Sequence, residues 1–235
     1  MTLDFDSLVL RSGAHASASD GVSLMEAVSD LAGEAWSNSP SCTSPVLAVY
    51  ARSLNDGLPD DERQRLKVYI PRLVGTAEPG LELRRAFICA DAAVRVFAPL
   101  ALAAAGLGEE AAKLSALAPV DPESAESARS AADSAESAAR SEASLAPWSS
   151  AESMRTAAES ARWAARSAAS AARTAAEWAL SAGRSTESAQ AAARLAARSA
   201  ESAEAVARLA ARPSTGSAAQ SAAFELLDRL IVAAA

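Results

Sequence analysis

The chain has 235 residues, enough to bury a substantial core; 50% are hydrophobic, largely because alanine is abundant, and only 4% are aromatic. Its net charge is −7, and neither half carries the basic surplus that a phosphate backbone demands, so nucleic acid is excluded as the expected partner. The chain has two cysteines, Cys42 and Cys89, which favours a reducing compartment over a disulfide framework. Its N-terminus shows no basic stretch followed by an apolar run, so no signal peptide is expected and the predicted location is the cytoplasm.

Residues 1–120 predict a compact, mainly helical domain. Apolar residues around DFDS favour either a short β hairpin or an extended arm at 3–12. Helical spacing and capping residues then predict three helices. They cover SLMEAVSDLAGE, ending at Gly33; SPVLAVYARSLNDGL, with Ser44 as N-cap, Pro45 as first residue and an end near Gly57; and PDDERQRLKVYI, ending at Pro71.

A longer apolar helix from about Leu81 to Ala105, kinked at Pro99, is the predicted core element of this part. Asp91 and Arg95 interrupt its apolar run. Because each charge is costly in lipid, the segment is typical of a buried helix in a soluble protein, and we expect no membrane partner. A short helix from Glu109 to Leu117 closes the part.

Residues 121–235 are rich in alanine, serine and arginine, and Pro147, Gly183 and Pro213 divide them into four predicted helices. In three of these helices alanine recurs at alternating spacings of four and three residues, which is a heptad repeat with alanine at both seam positions. The seams are Ala125, Ala128, Ala132, Ala135 and Ala139; Ala157, Ala161, Ala164, Ala168, Ala171 and Ala175; and Ala189, Ala193, Ala196, Ala200, Ala203, Ala207 and Ala210.

Two interpretations of the alanine seams stay open. The helices form a bundle or hairpin packed on itself, or a seam mediates self-association or the binding of a partner protein. Trp148, Trp163 and Trp178 recur every 15 residues and are expected to be core or edge anchors.

The chain's one histidine raises a separate question. His15, Glu26 and Cys42 offer an imidazole, a carboxylate and a thiolate, and such ligands suit zinc, but no recognised ligand spacing accompanies them. The structural alternative is a capping box formed by Ser23 and Glu26 at a helix start. In that interpretation His15 is a loop residue bonded to Asp20.

The stretch SGAHASASDGVSLMEAVSDLAGEAWSNSPSCTSPVLAVYARSLNDGLPDDERQRLKVYIPRLVGT resembles a family of functionally uncharacterised bacterial and phage proteins, frequent in actinobacteria. That family carries Gly-x-His, Gly-x-Cys-x-Met-Glu-Ala-Val and Gly-Glu-x-x-Ser-Asp-His-Pro-x-Cys patterns, an Asn-Asp…Pro-Asp-Asp-Glu segment and alanine-rich tails. This chain keeps His15, Glu26 and Cys42 of that pattern, but it has Ser23 where the family has cysteine and Ser39 where the family has histidine. The resemblance implies a metal or thiol site that this chain has lost or keeps only weakly, because a hydroxyl is a poor zinc ligand.

Taken together, the patterns predict an all-α protein with a helical domain at 1–120 and heptad-patterned helices at 121–235. Because it has no G-x-S-x-G elbow and no phosphate-binding loop, we expect a non-catalytic scaffold or interaction module that acts through its alanine seams. The alternative is a small metal-binding protein or metal-dependent enzyme that uses His15, Glu26 and Cys42, with zinc as the metal.

Overall fold

The computed structural model describes residues 7–145, 152–180 and 213–233, and every regular element in these ranges is helical. The predicted all-α class is therefore confirmed. Residues 7–12, the described part of the predicted hairpin, form no strand. They run as an irregular arm that Gln64 fastens: its side chain accepts a hydrogen bond from Leu10 N at 2.9 Å and donates one to Leu10 O at 3.0 Å.

Short and medium helices make up the first half of the chain. They are α1 (Leu24–Leu31), α2 (Pro45–Gly57), α3 (Asp60–Arg63), α4 (Ile70–Leu73), α5 (Glu82–Ala92), α6 (Ala98–Ala104) and α7 (Gly108–Ser115). Helices of 20 or more residues follow: α8 (Ala125–Leu145), α9 (Glu152–Leu180) and α10 (Pro213–Val232). The third predicted alanine helix lies outside the described residues.

The helix ends follow the predicted capping signals. Ser44 Oγ accepts a hydrogen bond from Leu47 N at 3.3 Å at the start of α2, and Pro45 is the first helical residue. Beyond α1, Gly33 has a φ of 71°, the left-handed conformation that commonly ends a helix.

Pro71 does not act as predicted, whereas the helix is irregular directly before Pro99, where a kink was predicted. Pro71 does not end a helix: the PDDERQRLKVYI segment consists of α3 and a 3₁₀ stretch, Gln64–Tyr69, and Pro71 lies in the first turn of α4. Proline is tolerated there because the first turn needs no amide donor. Pro99 likewise lies in the first turn of α6, and the chain accommodates it through a π-helical turn, Ala93–Phe97, that links α5 to α6.

The C-terminal helix α10 packs on the first half of the chain, against α2, α5 and α6. Phe224, Leu227 and Leu230 are buried there. Tyr50 Oη donates a hydrogen bond to Ala223 O at 3.1 Å. The hydrophobic core is therefore continuous between segments that lie on both sides of the alanine-rich helices.

Helices α8 and α9 form an antiparallel hairpin, and α9 also packs on α5, α6 and the π-helical turn between them. The antiparallel direction follows from the 3.3 Å ion pair between Glu136 of α8 and Arg162 of α9 together with the electrostatic contact of Glu126 with Arg173. Helix α9 is thus enclosed by α8 on one side and by the core helices on the other.

By length and composition alone, one helical segment among the described residues, Pro79–Ala104, could cross a membrane, with a mean hydropathy of 1.8. Most of that apolar window, 72%, is buried inside the protein.

Candidate functional site

The carboxylate of Glu26 organises the start of α1. Its side chain is 1% exposed and accepts three hydrogen bonds: from His15 N at 2.6 Å, from His15 Nδ1 at 2.9 Å and from Ser23 N at 2.8 Å. The arrangement is that of a capping box, although the buried Ser23 hydroxyl lies outside hydrogen-bonding geometry with the described residues. One carboxylate therefore caps the helix and binds the preceding loop.

His15 is held by this carboxylate and not by Asp20, so the expected Asp20 partner is wrong. Asp20 instead accepts a hydrogen bond from Ser17 Oγ at 2.8 Å. His15 O accepts a hydrogen bond from Trp36 Nε1 at 2.9 Å, which ties the loop to the segment after α1. The imidazole packs so closely on Gly21 that a Cβ there would lie 2.5 Å from its Cδ2 and Nε2 atoms.

Substituting Gly21→Ala is expected to lower the free energy of unfolding by about 2–3 kcal/mol, since it combines backbone strain with overpacking. The φ of Gly21 is 148°, which side-chain-bearing residues rarely adopt, and the new methyl group would collide with the His15 ring. Urea denaturation of the single variant, compared with the same substitution in a His15→Ala background, separates the two causes.

In the His15→Ala background the collision with the ring is removed, while the backbone strain and a 3.0 Å approach to Arg11 Cδ remain, so Gly21→Ala should cost about 1 kcal/mol less than in the wild type. An equal cost in both backgrounds would show that the ring of His15 does not rest on Gly21.

Cys42, the third predicted ligand, makes its contacts with a different carboxylate. Its amide donates to Glu34 Oε1 at 2.8 Å, and its Sγ lies 3.8 Å from Thr43 Oγ1. Hydrogen bonds from the amide and hydroxyl of Ser41 lower the pKa of Glu34, which keeps this carboxylate charged. Glu34 thus organises the turn before α2 as Glu26 organises the start of α1.

The structure brings His15 and Glu26 together and gives Cys42 other partners. Within residues 7–145, 152–180 and 213–233, no group of three histidine, cysteine, aspartate or glutamate side chains is arranged to hold a metal ion. A zinc site built on His15, Glu26 and Cys42 stays a prediction.

The second cysteine, Cys89, is buried in α5 and forms no disulfide. Burial raises the pKa of its thiol far above the usual range, an effect that the nearby Glu82 carboxylate reinforces and Arg229 opposes. Because the thiolate is the reactive form, Cys89 acts as a small apolar core residue.

The described members of the predicted seams in the first two alanine helices are buried, and the side chain of Ala157 lies outside the described part. Ala125, Ala128, Ala132, Ala135 and Ala139 of α8 are at most 3% exposed, and Ala161, Ala164, Ala168, Ala171 and Ala175 of α9 are fully buried. A second row on α9, Ala165, Ala169 and Ala172, is also buried because this helix packs on two sides. These two seams are therefore buried by packing within the chain. The third seam, Ala189 to Ala210, lies outside the described residues.

Sequence reasoning missed two further features. A cavity of about 380 Å³ lies between the turn before α2 and the start of α5, with Pro40, Pro45 and Pro79 in its walls and Arg52 at its edge. Trp163, predicted as a core or edge anchor, is 54% exposed on α9. The exposure of Trp163 could have been predicted from the sequence, because the residue lies between two arginines, Arg162 and Arg166, in a helix made mostly of small residues.

The geometry defines an all-α protein with a buried alanine-seamed hairpin and a histidine–carboxylate clamp. Compared with protein-family models, curated proteins and solved structures, the chain matches none. The family resemblance of residues 12–76 therefore stays a prediction.

Proposed function

We propose that this protein is a non-catalytic helical scaffold that associates with a second copy of itself, or docks a partner protein, through the alanine seam of residues 189–210. The observation that supports the proposal is the α8–α9 hairpin. There, alanines with the same alternating spacing of four and three residues are buried between two helices. The same spacing recurs in the sequence at 189–210, where we expect it to form a third surface of this kind.

The strength of such a surface comes from its length. Burying one methyl group contributes only about 0.8 kcal/mol, so seven alanine positions are needed where a few leucines would suffice. In return, an alanine seam allows two helices to approach closely, and a single bulky or charged side chain then separates them along much of their length.

The double substitution Ala200→Glu and Ala203→Glu is expected to abolish association, because it introduces two carboxylates into the centre of the seam. Light scattering coupled to size-exclusion chromatography should show a concentration-dependent mass for the wild type. The double variant should keep the monomer mass at all concentrations, with an association constant reduced by at least about tenfold.

The chain offers a matched control in Ala191→Glu and Ala205→Glu, which make the same chemical change. At 100° per residue both positions lie on the opposite side of a helix from the seam. This control should associate like the wild type. A wild type that is monomeric throughout and unaffected by either pair would contradict self-association through the seam.

The proposal keeps the cytoplasm as the compartment. It is supported by Cys42 and Cys89, which form no disulfide.

A further inference from the structure

The cavity between the turn before α2 and the start of α5 has walls of fixed shape. Pro40, Pro45 and Pro79 line it together with Ala48 and Ala77. Proline and alanine side chains have almost no rotamer freedom to lose, so this surface is preformed for a ligand. The volume of about 380 Å³ lies within the range of small-molecule sites, about 300–1,000 Å³. We call it the proline-walled cavity.

The most deeply buried charged group in the wall is the carboxylate of Glu82, a residue that is 2% exposed. It accepts hydrogen bonds from Ser44 Oγ at 2.9 Å, from Val46 N at 3.2 Å and from Arg85 Nη1 at 2.8 Å. A carboxylate has about four acceptor positions, so these three bonds leave room for one donor from a ligand. A buried ion pair stabilises a protein no more than well-packed apolar side chains do. Its place in the wall of a cavity therefore favours a role in binding.

Two groups of opposite charge lie in the more accessible part of the wall. Glu78 is exposed and Arg52 is partly exposed. Arg52 Nη1 donates to Asn38 O at 2.7 Å and to Ser39 Oγ at 2.9 Å, and these contacts orient the guanidinium. Because a guanidinium has five N–H donors, it can bind a carboxylate while Nη1 keeps both contacts.

The remaining polar side chains of the wall are engaged with the protein. Thr43 Oγ1 donates to Leu73 O at 3.1 Å, and Ser41 Oγ donates to Glu34 Oε1 at 2.9 Å. Both hydroxyl protons are therefore already used. Apart from its charged groups, the cavity offers a ligand the apolar surface of its prolines and alanines.

We propose that the proline-walled cavity binds a free amino acid with an aliphatic side chain. Arg85 balances Glu82, so the other charges among the lining residues, Arg52 and Glu78, are of opposite sign and cancel. The matching ligand is zwitterionic. Its carboxylate pairs with Arg52, its ammonium group pairs with Glu78 and Glu82, and its side chain packs on the prolines. This inference goes beyond the proposed function and does not depend on the alanine seams.

The test compares whole amino acids with fragments that lack one charge. Isothermal titration calorimetry of the full chain uses L-leucine, 3-methylbutylamine, which lacks the carboxylate, and 4-methylpentanoate, which lacks the ammonium group. Leucine should bind, and each fragment should bind at least about tenfold more weakly, because each loses charge-assisted hydrogen bonds. Absence of binding by leucine, isoleucine, valine and methionine would overturn the proposal, and so would a fragment that binds as tightly as leucine.

Two charge variants assign the ends of the ligand. Arg52→Gln should weaken leucine binding by about tenfold or more and leave the affinity for 3-methylbutylamine unchanged, because that fragment has no carboxylate. Glu78→Gln, at an exposed position, should weaken leucine binding and leave the affinity for 4-methylpentanoate unchanged. Arg84→Gln is the matched control, since Arg84 is an exposed arginine of α5 outside the cavity wall. It should bind leucine like the wild type.

A further variant fills the cavity without touching a charge. Ala77 is an exposed wall residue, and Ala77→Trp should abolish binding of leucine and of both fragments while the thermal unfolding temperature stays close to that of the wild type. Leucine binding that is unchanged by Arg52→Gln or by Ala77→Trp would place the ligand elsewhere and overturn the proposal. Calorimetry reports on the cavity and molecular mass on the seam of residues 189–210, so the two proposals fail independently.

Discussion

Substituting Arg85→Met should lower the free energy of unfolding by about 3–5 kcal/mol, because it leaves a buried carboxylate without its cation. Arg85 is 1% exposed, and its Nη1 lies 2.8 Å from Oε1 of Glu82, which is 2% exposed. The same guanidinium donates to Thr76 O and to Leu230 O, at 3.0 and 3.2 Å, so it also holds α10 on α5. The measurement is urea denaturation followed by far-UV circular dichroism.

The control for this prediction is a double-mutant cycle. Arg85→Met and Glu82→Gln each leave one buried charge unpaired, whereas the double variant leaves none and should be clearly more stable than the sum of the single effects implies. Glu82 keeps neutral partners in Ser44 Oγ and Val46 N, at 2.9 and 3.2 Å, which a glutamine oxygen can still accept from. Strict additivity would contradict a direct Arg85–Glu82 coupling.

Substituting Ala132→Glu should destabilise the protein by about 3–5 kcal/mol, because it forces an uncompensated charge into the seam between α8 and α9. Ala132 is fully buried, and on the α9 side the facing seam is made of alanines, which offer no hydrogen-bond partner. Thermal unfolding and urea denaturation should both show the loss. The helices themselves are expected to keep their intrinsic propensity, since glutamate is a good helix former.

Ser134→Glu is the matched control for Ala132→Glu. It lies two residues further along the same helix, on its exposed side, where its hydroxyl donates only to Ser130 O at 2.9 Å. A change within about 0.5 kcal/mol is expected for such a surface position. If both glutamates cost the same, the seam of α8 does not face α9.

The alanine seams were predictable because a heptad spacing identifies one side of a helix. What the spacing could not show is that α9 has two buried sides. Ala165, Ala169 and Ala172 are buried as well as the seam, and a helix made almost entirely of small residues gives no contrast in hydrophobicity to reveal this. The exposure of Trp163 also reflects the packing of α9. One side of this helix packs on α8 and another on the core helices, and Trp163 lies on the side that remains exposed.

At the start of α1 the sequence predicted a capping box or a ligand site, as alternatives. Glu26 has two oxygens, and the structure uses both at once, for the cap and for His15. The loop interpretation of His15 gave Asp20 as its partner, but Asp20 accepts a hydrogen bond from Ser17 instead. The choice between two carboxylates depended on the path of the loop across Gly21, which no local pattern encodes.

The docking of α10 also has a consequence for how the chain folds. Tyr50 and Ala223 are hydrogen-bonded although 173 positions separate them, and Tyr69 and Asp228 are hydrogen-bonded across 159. Closing loops of this length costs entropy before the contacts can compensate for it, so these pairings form late. During translation the ribosome completes α1, α2 and α5 long before α10 emerges. Until then the surface that Phe224 and Leu230 will cover is open to water, and a nascent chain at that stage is a natural client for a chaperone.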